Sequence, residues 1–135
     1  MYSTETEITA QFYDLDPMGV MWHGNYARFM EQARCDLLDS IGYNYDEMHA
    51  SGYMWPIVDM QLKFIRPIRF AQVVIVASTL VEYANRLKIT YAIRDKNSAE
   101  ILTKAHTVQV AVKADTGELM LESPLDLVDK VKKVL

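Results

Sequence analysis

The stretch Tyr13-Asp14-Leu15-Asp16-Pro17-Met18-Gly19-Val20-Met21-Trp22-His23-Gly24-Asn25-Tyr26 decides the fold, because it joins two kinds of periodicity. Upstream of it, Glu5 to Tyr13 places Ile8, Ala10 and Phe12 on one side and Glu7, Thr9 and Gln11 on the other, which is the period of a half-buried strand. Downstream, Tyr26, Phe29, Met30, Ala33, Leu37, Leu38 and Ile41 recur at spacings of three and four, and Gly42 supplies a helix stop. The connecting segment holds Pro17, Gly19 and Gly24, yet its Met, Val and Trp side chains are apolar enough that it is expected to pack. Two carboxylates and a histidine therefore flank a helix amino terminus. Unpaired N–H groups and a partial positive charge there can hold an anion or polarise a carbonyl.

On a helical wheel Arg34 falls inside the apolar arc and Glu31 at its edge, while Arg28, Gln32 and Asp39 face away. A buried arginine needs a partner, so a Glu31–Arg34 ion pair is expected; a contact between Glu31 and a reaction centre is the alternative. Cys35 lies off the apolar stripe without a neighbouring histidine and is expected to be an unreactive thiol.

Beyond the helix, Asp46 to Ser51 predicts a short helix closed by Gly52, and the remainder is mostly strand. Pro56 to Phe64 alternates, with Val58, Met60, Leu62 and Phe64 opposite Asp59, Gln61 and Lys63. Val73–Glu82, Arg86–Asp95 and Ile101–Lys113 follow as strands. Ser123-Pro124 predicts a helix start with Ser123 as the cap, and Val128, Val131 and Leu135 as its apolar side. One strand, one long helix and then hairpin-connected strands predict an α+β domain over residues 1–135, with an antiparallel sheet on the long helix. Its open edges and outer face call for a second copy.

A formal net charge of -4 argues against general affinity for nucleic acid or anionic membrane, so an anionic ligand must be met by a local basic cluster. No segment resembles a signal peptide or a membrane span, and the single cysteine fits a reducing compartment; a soluble, cytoplasmic protein is expected. His23, His49 and His106 show no metal-ligand spacing, and phosphate-loop, dinucleotide and serine-elbow motifs are missing. Neither metal nor cofactor is implied. Six of the eight methionines lie between Met18 and Met60, among Trp22, Tyr43, Tyr45, Tyr53 and Trp55, and this favours an apolar ligand group.

The run from Asp14 to Val20, with His23, Asn25, Tyr26, Glu31, Ala33 and Arg34 after it, resembles the hotdog-fold acyl-CoA thioesterases. The branch it is similar to holds 4-hydroxybenzoyl-CoA thioesterase and the Tol-Pal-associated short-chain enzymes. Phe64-Ile65-Arg66-Pro67-Ile68-Arg69-Phe70 resembles that family's bend between strands, and the likeness spans about residues 5 to 121.

The resemblance implies a catalytic carboxylate at Asp16 and a less critical one at Asp14. It implies carbonyl-polarising N–H groups at His23 and Gly24, and substrate contacts from Asn25, Tyr26 and Glu31. Gly24 stands where relatives often carry another small residue or proline. Arg86 and Lys88 fall where relatives contact the nucleotide, and Lys63, Arg66 and Arg69 form a second basic group. Acyl-CoA is the implied substrate, short-chain or aromatic, and a homodimer or homotetramer with a shared site the implied assembly. A carrier-protein thioesterase and a non-catalytic acyl-CoA-binding domain remain as alternatives. A hotdog dehydratase fits less well, since its histidine-centred motif is missing.

Overall fold

The computed structural model describes residues 1–135. In chain order the elements are β1 (Tyr2–Thr9), α1 (Tyr26–Ile41), α2 (Tyr45–Ala50), β2 (Tyr53–Met54), β3 (Ile57–Phe64), β4 (Val73–Glu82), β5 (Leu87–Asp95), β6 (Ile101–Gln109), β7 (Val112–Lys113) and α3 (Leu125–Val134). Five strands form an antiparallel sheet in the order β1-β4-β5-β6-β3, and β2 pairs with β7. The α+β expectation holds: one long helix lies against one antiparallel sheet.

The helix packs because its apolar side chains share a face. Tyr26, Phe29, Met30, Ala33, Leu37, Leu38 and Ile41 are buried, as are Val74, Val76 and Leu80 of β4 and Leu87, Ile89, Tyr91 and Ile93 of β5. Truncating fully buried Leu37 to alanine would cost about 2–5 kcal/mol. Gly42 ends α1 at φ +77, a left-handed conformation that glycine adopts without a Cβ penalty.

Three boundaries and one burial pattern differ from the sequence reading. β1 stops at Thr9: Ala10 still exchanges backbone bonds with Ala71 and Gln72, but Phe12–Asp14 then turns as a 3-10 segment and leaves Phe12 79% exposed. The stretch Ile101–Lys113 is two strands, since the chain leaves β6 after Gln109 to pair β7 with β2. Ser123 does not cap α3, because its buried Oγ accepts no helix N–H; extended Pro124 holds the cap position, and Leu127 and Val131, not Leu135, are buried. Finally, β3 alternates in sequence but is exposed along nearly its whole length, with a free backbone edge opposite β6. The helix lies over β1 and β4 and leaves the β3 end of the sheet uncovered.

Candidate active site

The loop between β1 and α1 is a small folded unit. Leu15 bridges Met21, the Asp16 N–H donates to the Val20 carbonyl, and the Gly19 N–H donates back to the Asp16 carbonyl, so Asp16-Pro17-Met18-Gly19 is a tight turn. Proline presets its second position, and Gly19 takes φ +78. The Met21 N–H reaches the Ile68 carbonyl, which ties the loop to the bend after β3.

The two aspartates have different surroundings. Asp14 is 2% exposed; one carboxylate oxygen accepts the Gln11 N–H at 2.8 Å and the other is paired with Arg28. Its carbonyl accepts the Trp22 N–H and the Asn25 side-chain amide. Asp14 is thus the clasp that holds the loop on the start of α1. Arg28, placed by the wheel on the solvent side, is its counter-ion and also lies over the Tyr13 ring. Asp16 is half-buried; its Oδ1 accepts the Met18 N–H at 2.8 Å, while its Oδ2 has no partner in the chain. The turn orients this carboxylate without saturating it.

Asp16, His23, Tyr26, Phe64 and Arg66 line one cavity of about 310 Å³. His23 and Gly24 begin the short 3-10 turn that runs into α1, and their backbone N–H groups have no acceptor within the chain. Gly24 also makes room for the Trp22 ring: a Cβ there would lie 2.3 Å from it, so any larger residue must displace that half-exposed ring. Burial raises the Tyr26 phenol above its ordinary range, against the opposing pull of the Thr103 hydroxyl and the Ile68 backbone.

The remaining expected residues are elsewhere. The Asn25 side chain is committed to the Asp14 carbonyl, which makes it a fastener of the loop. Glu31 is exposed and forms no ion pair with Arg34. Arg34 instead lies beside the Tyr91 hydroxyl, where its charge opposes the burial that raises that phenol. Both Glu31 and Arg34 line a second cavity, of about 660 Å³, with Cys35, Met48, Trp55 and Gln109. Cys35 thus faces a cavity and not open solvent.

Arg86 is paired with Glu82 at 2.9 Å, and Lys88 pairs with Val108 on β6, whereas Phe64 of the Asp16 cavity pairs with Thr103. Those positions are five residues apart along β6, or about 17 Å. Within one chain the first basic group is remote from Asp16; from the second, Arg66 is the residue on the cavity wall. The sequence reading also missed Phe64 and Met18 as lining residues, although both sit next to motif positions it had marked.

The family model of the thioesterase-like superfamily matches residues 10–134, nearly the whole chain. The chain belongs to the thioesterase-like superfamily. This thioesterase is 28% identical over 113 residues to YneP of Bacillus subtilis, provisionally named an acyl-CoA thioesterase, covering 83% of this chain and 81% of that one. Its structure is similar to that of a DHNA-CoA thioesterase from Staphylococcus aureus, with a TM-score of 0.88 at 29% identity, covering 99% and 91% of the two chains. A 4-hydroxybenzoyl-CoA thioesterase bound to 4-hydroxybenzoyl-CoA shares the hotdog fold, with a TM-score of 0.82 at 18% identity over 95% and 97%. The protein is a thioester hydrolase with that fold. No helix is long and apolar enough to cross a membrane.

Proposed function

We propose that this protein hydrolyses acyl-CoA thioesters with a short-chain or aromatic acyl group, using Asp16 as the catalytic carboxylate. The observation that carries the reading is the half-satisfied state of Asp16: one oxygen is fixed by the turn, and the other is free on a cavity shared with the start of α1. A thioester needs little more. Its thiolate leaves readily, with a thiol pKa near roughly 8.5, so a positioned base and donors for the developing oxyanion suffice.

In the first route, Asp16 takes a proton from water as the oxygen attacks the carbonyl carbon, collapse of the tetrahedral intermediate expels the CoA thiolate, and the proton passes from Asp16 to that thiolate, restoring the carboxylate. In the second, the free oxygen attacks directly, the thiolate leaves, and water opens the resulting anhydride to regenerate the carboxylate. Both use the same oxygen, and in both the unpaired His23 and Gly24 N–H groups receive the negative charge on the carbonyl oxygen. Arg66, held by Glu100 at 2.9 Å, is the arginine on the cavity wall that can face the anionic part of the thiol. The active unit is a homodimer or a dimer of dimers, since the Asp16 cavity adjoins the uncovered edge formed by β3.

A panel of aliphatic and aromatic acyl-CoAs, with free thiol as the readout, tests the reading. Thiol release that depends on the enzyme and on Asp16 is expected. Turnover of carrier-protein esters alone would reassign the substrate, and tight binding of acyl-CoAs that stay intact over long incubation would remove catalysis.

A further inference from the structure

The larger cavity, of about 660 Å³, has on its wall a polar group that nothing in the chain uses. Gln109 ends β6, where its backbone is held between Ile57 of β3 and Leu87 of β5, and the residue is 5% exposed. Its side-chain Nε2 donates to the Trp55 carbonyl at 2.8 Å. That bond fixes which way the amide faces, because a carbonyl only accepts and would oppose the amide oxygen if the two ends were exchanged. Oε1 is therefore the other end, buried and without a donor. A buried acceptor left unpaired forfeits its hydration, and folded proteins pair nearly all such atoms.

The neighbouring side chains do not supply the missing donor. The Trp55 indole N–H is committed to the Tyr43 hydroxyl at 3.2 Å, and the Asn44 amide to the Asp39 carboxylate and the Cys35 carbonyl. Arg34 lies beside the Tyr91 hydroxyl. Four other buried side-chain oxygens are unpaired, but all are Ser or Thr hydroxyls and none of those residues lines this cavity.

We infer that this cavity binds an uncharged apolar group carrying a hydroxyl, whose O–H donates to Gln109 Oε1. The chemistry follows by elimination. The walls at Leu38, Met48 and Trp55 call for a hydrocarbon body. Because Oε1 only accepts, ethers and ketones gain nothing there, and an amide N–H brings a carbonyl that would need a donor of its own. A charged head group fares no better: an ammonium meets Arg34 and a carboxylate meets Glu31, both on the wall. A neutral O–H on an apolar body satisfies all of these conditions, and a phenol or naphthol is the simplest case. A cavity of this size, mostly apolar with a few placed polar groups, is the usual form of a small-molecule site.

This site stands apart from Asp16 and needs no hydrolysis there. Gln109 is six positions, or about 20 Å, along β6 from Thr103, which pairs with Phe64 of the Asp16 cavity. The chain also carries its own reporter. Cys35, the single cysteine, lines the same cavity and is partly exposed, so a molecule in the cavity shields it.

Two probes of similar size test the assignment: 2-naphthol, and its methyl ether, which lacks the donor. With the full chain, ligand-observed NMR titrations give the affinities, and the rate of Cys35 alkylation by iodoacetamide gives the location. 2-Naphthol should bind about tenfold more tightly than the ether, the factor expected of one hydrogen bond, and should protect Cys35 over the same concentration range. In Gln109→Met, which removes the acceptor and keeps the length, the two probes should bind alike. Equal affinities in the unaltered chain would mean that water already satisfies Oε1, and would overturn the inference. So would tighter binding of 2-naphthol that leaves Cys35 alkylation unchanged, or a preference that persists in a folded Gln109→Met chain. Should that variant fail to fold, the two measurements on the unaltered chain decide alone. No thioester is present in these titrations, so their failure leaves the hydrolysis reading standing, and thiol release from acyl-CoAs tests that reading separately.

Discussion

Asp14→Asn and Asp16→Asn should fail in opposite ways, although the residues are two positions apart. Asparagine offers one carbonyl oxygen and an amide that donates. At Asp16 that suffices structurally: the oxygen can still accept the Met18 N–H, and the oxygen that is lost had no partner. The turn persists and stability should change by no more than about 0.5 kcal/mol. The charge needed for either hydrolytic route is gone, so kcat should drop about 100-fold or more, equal to about 2.7 kcal/mol of barrier. At Asp14 both oxygens are in use, one by the Gln11 N–H and one by Arg28, and the residue is buried. The amide would confront one of those donors and forfeit a charge-assisted bond, at a cost of about 1.5–3 kcal/mol. With a urea slope of a few kcal/mol per molar, the midpoint should fall by about 1 M. Urea titrations beside steady-state thiol release read both quantities. Unchanged activity in Asp16→Asn, or a rate loss in Asp14→Asn as large as in Asp16→Asn with no change in midpoint, would refute the assignment by free oxygen.

Gly24→Ala should destabilise the chain by about 1–3 kcal/mol, because the new methyl group must displace the Trp22 ring or move the loop; Trp fluorescence and the urea midpoint report it, and wild-type values of both would show that the ring is loosely held. Glu31→Gln should leave the midpoint within about 0.5 kcal/mol of the parent, since the side chain is exposed and unpaired; a loss of several kcal/mol would restore the ion pair with Arg34. Burial raises the phenols of Tyr26, Tyr43 and Tyr91, so the folded chain keeps protons that the unfolded chain releases above about pH 10. Their contribution is intact below that pH and is lost as pH climbs through the raised values, so the urea midpoint should be lower at pH 11 than at pH 9; equal midpoints would mean that water reaches these hydroxyls.

The long helix was legible because its apolar period and Gly42 agree, and the Asp-Pro-Met-Gly turn because each residue favours the same geometry. The Asp14–Arg28 clasp was not. A helical wheel assumes that the polar face meets water, whereas here the preceding loop folds back over it, and that contact is long-range in the sense that matters. The Glu31–Arg34 pair failed for a related reason: proximity at three residues' spacing says nothing of a competing tyrosine from β5. In β3 the alternation was correct as a statement about faces and misleading about exposure. A period of two records that something apolar covers one face without recording whether the cover belongs to the same chain.

That distinction bears directly on the chemistry. The cavity at Asp16, about 310 Å³, is at the small end of the range for ligand pockets, and it is open along the β3 edge. The chain's larger cavity, about 660 Å³, has the apolar walls suited to an acyl group. Its β6 residue, Gln109, is six positions or about 20 Å along the strand from Thr103 opposite Phe64, so the acyl group of a thioester held at Asp16 does not reach it within the same chain. Neither cavity alone suits a whole acyl-CoA, and because the Asp16 cavity opens on the β3 edge, the homodimer proposed above would supply the wall that one chain lacks.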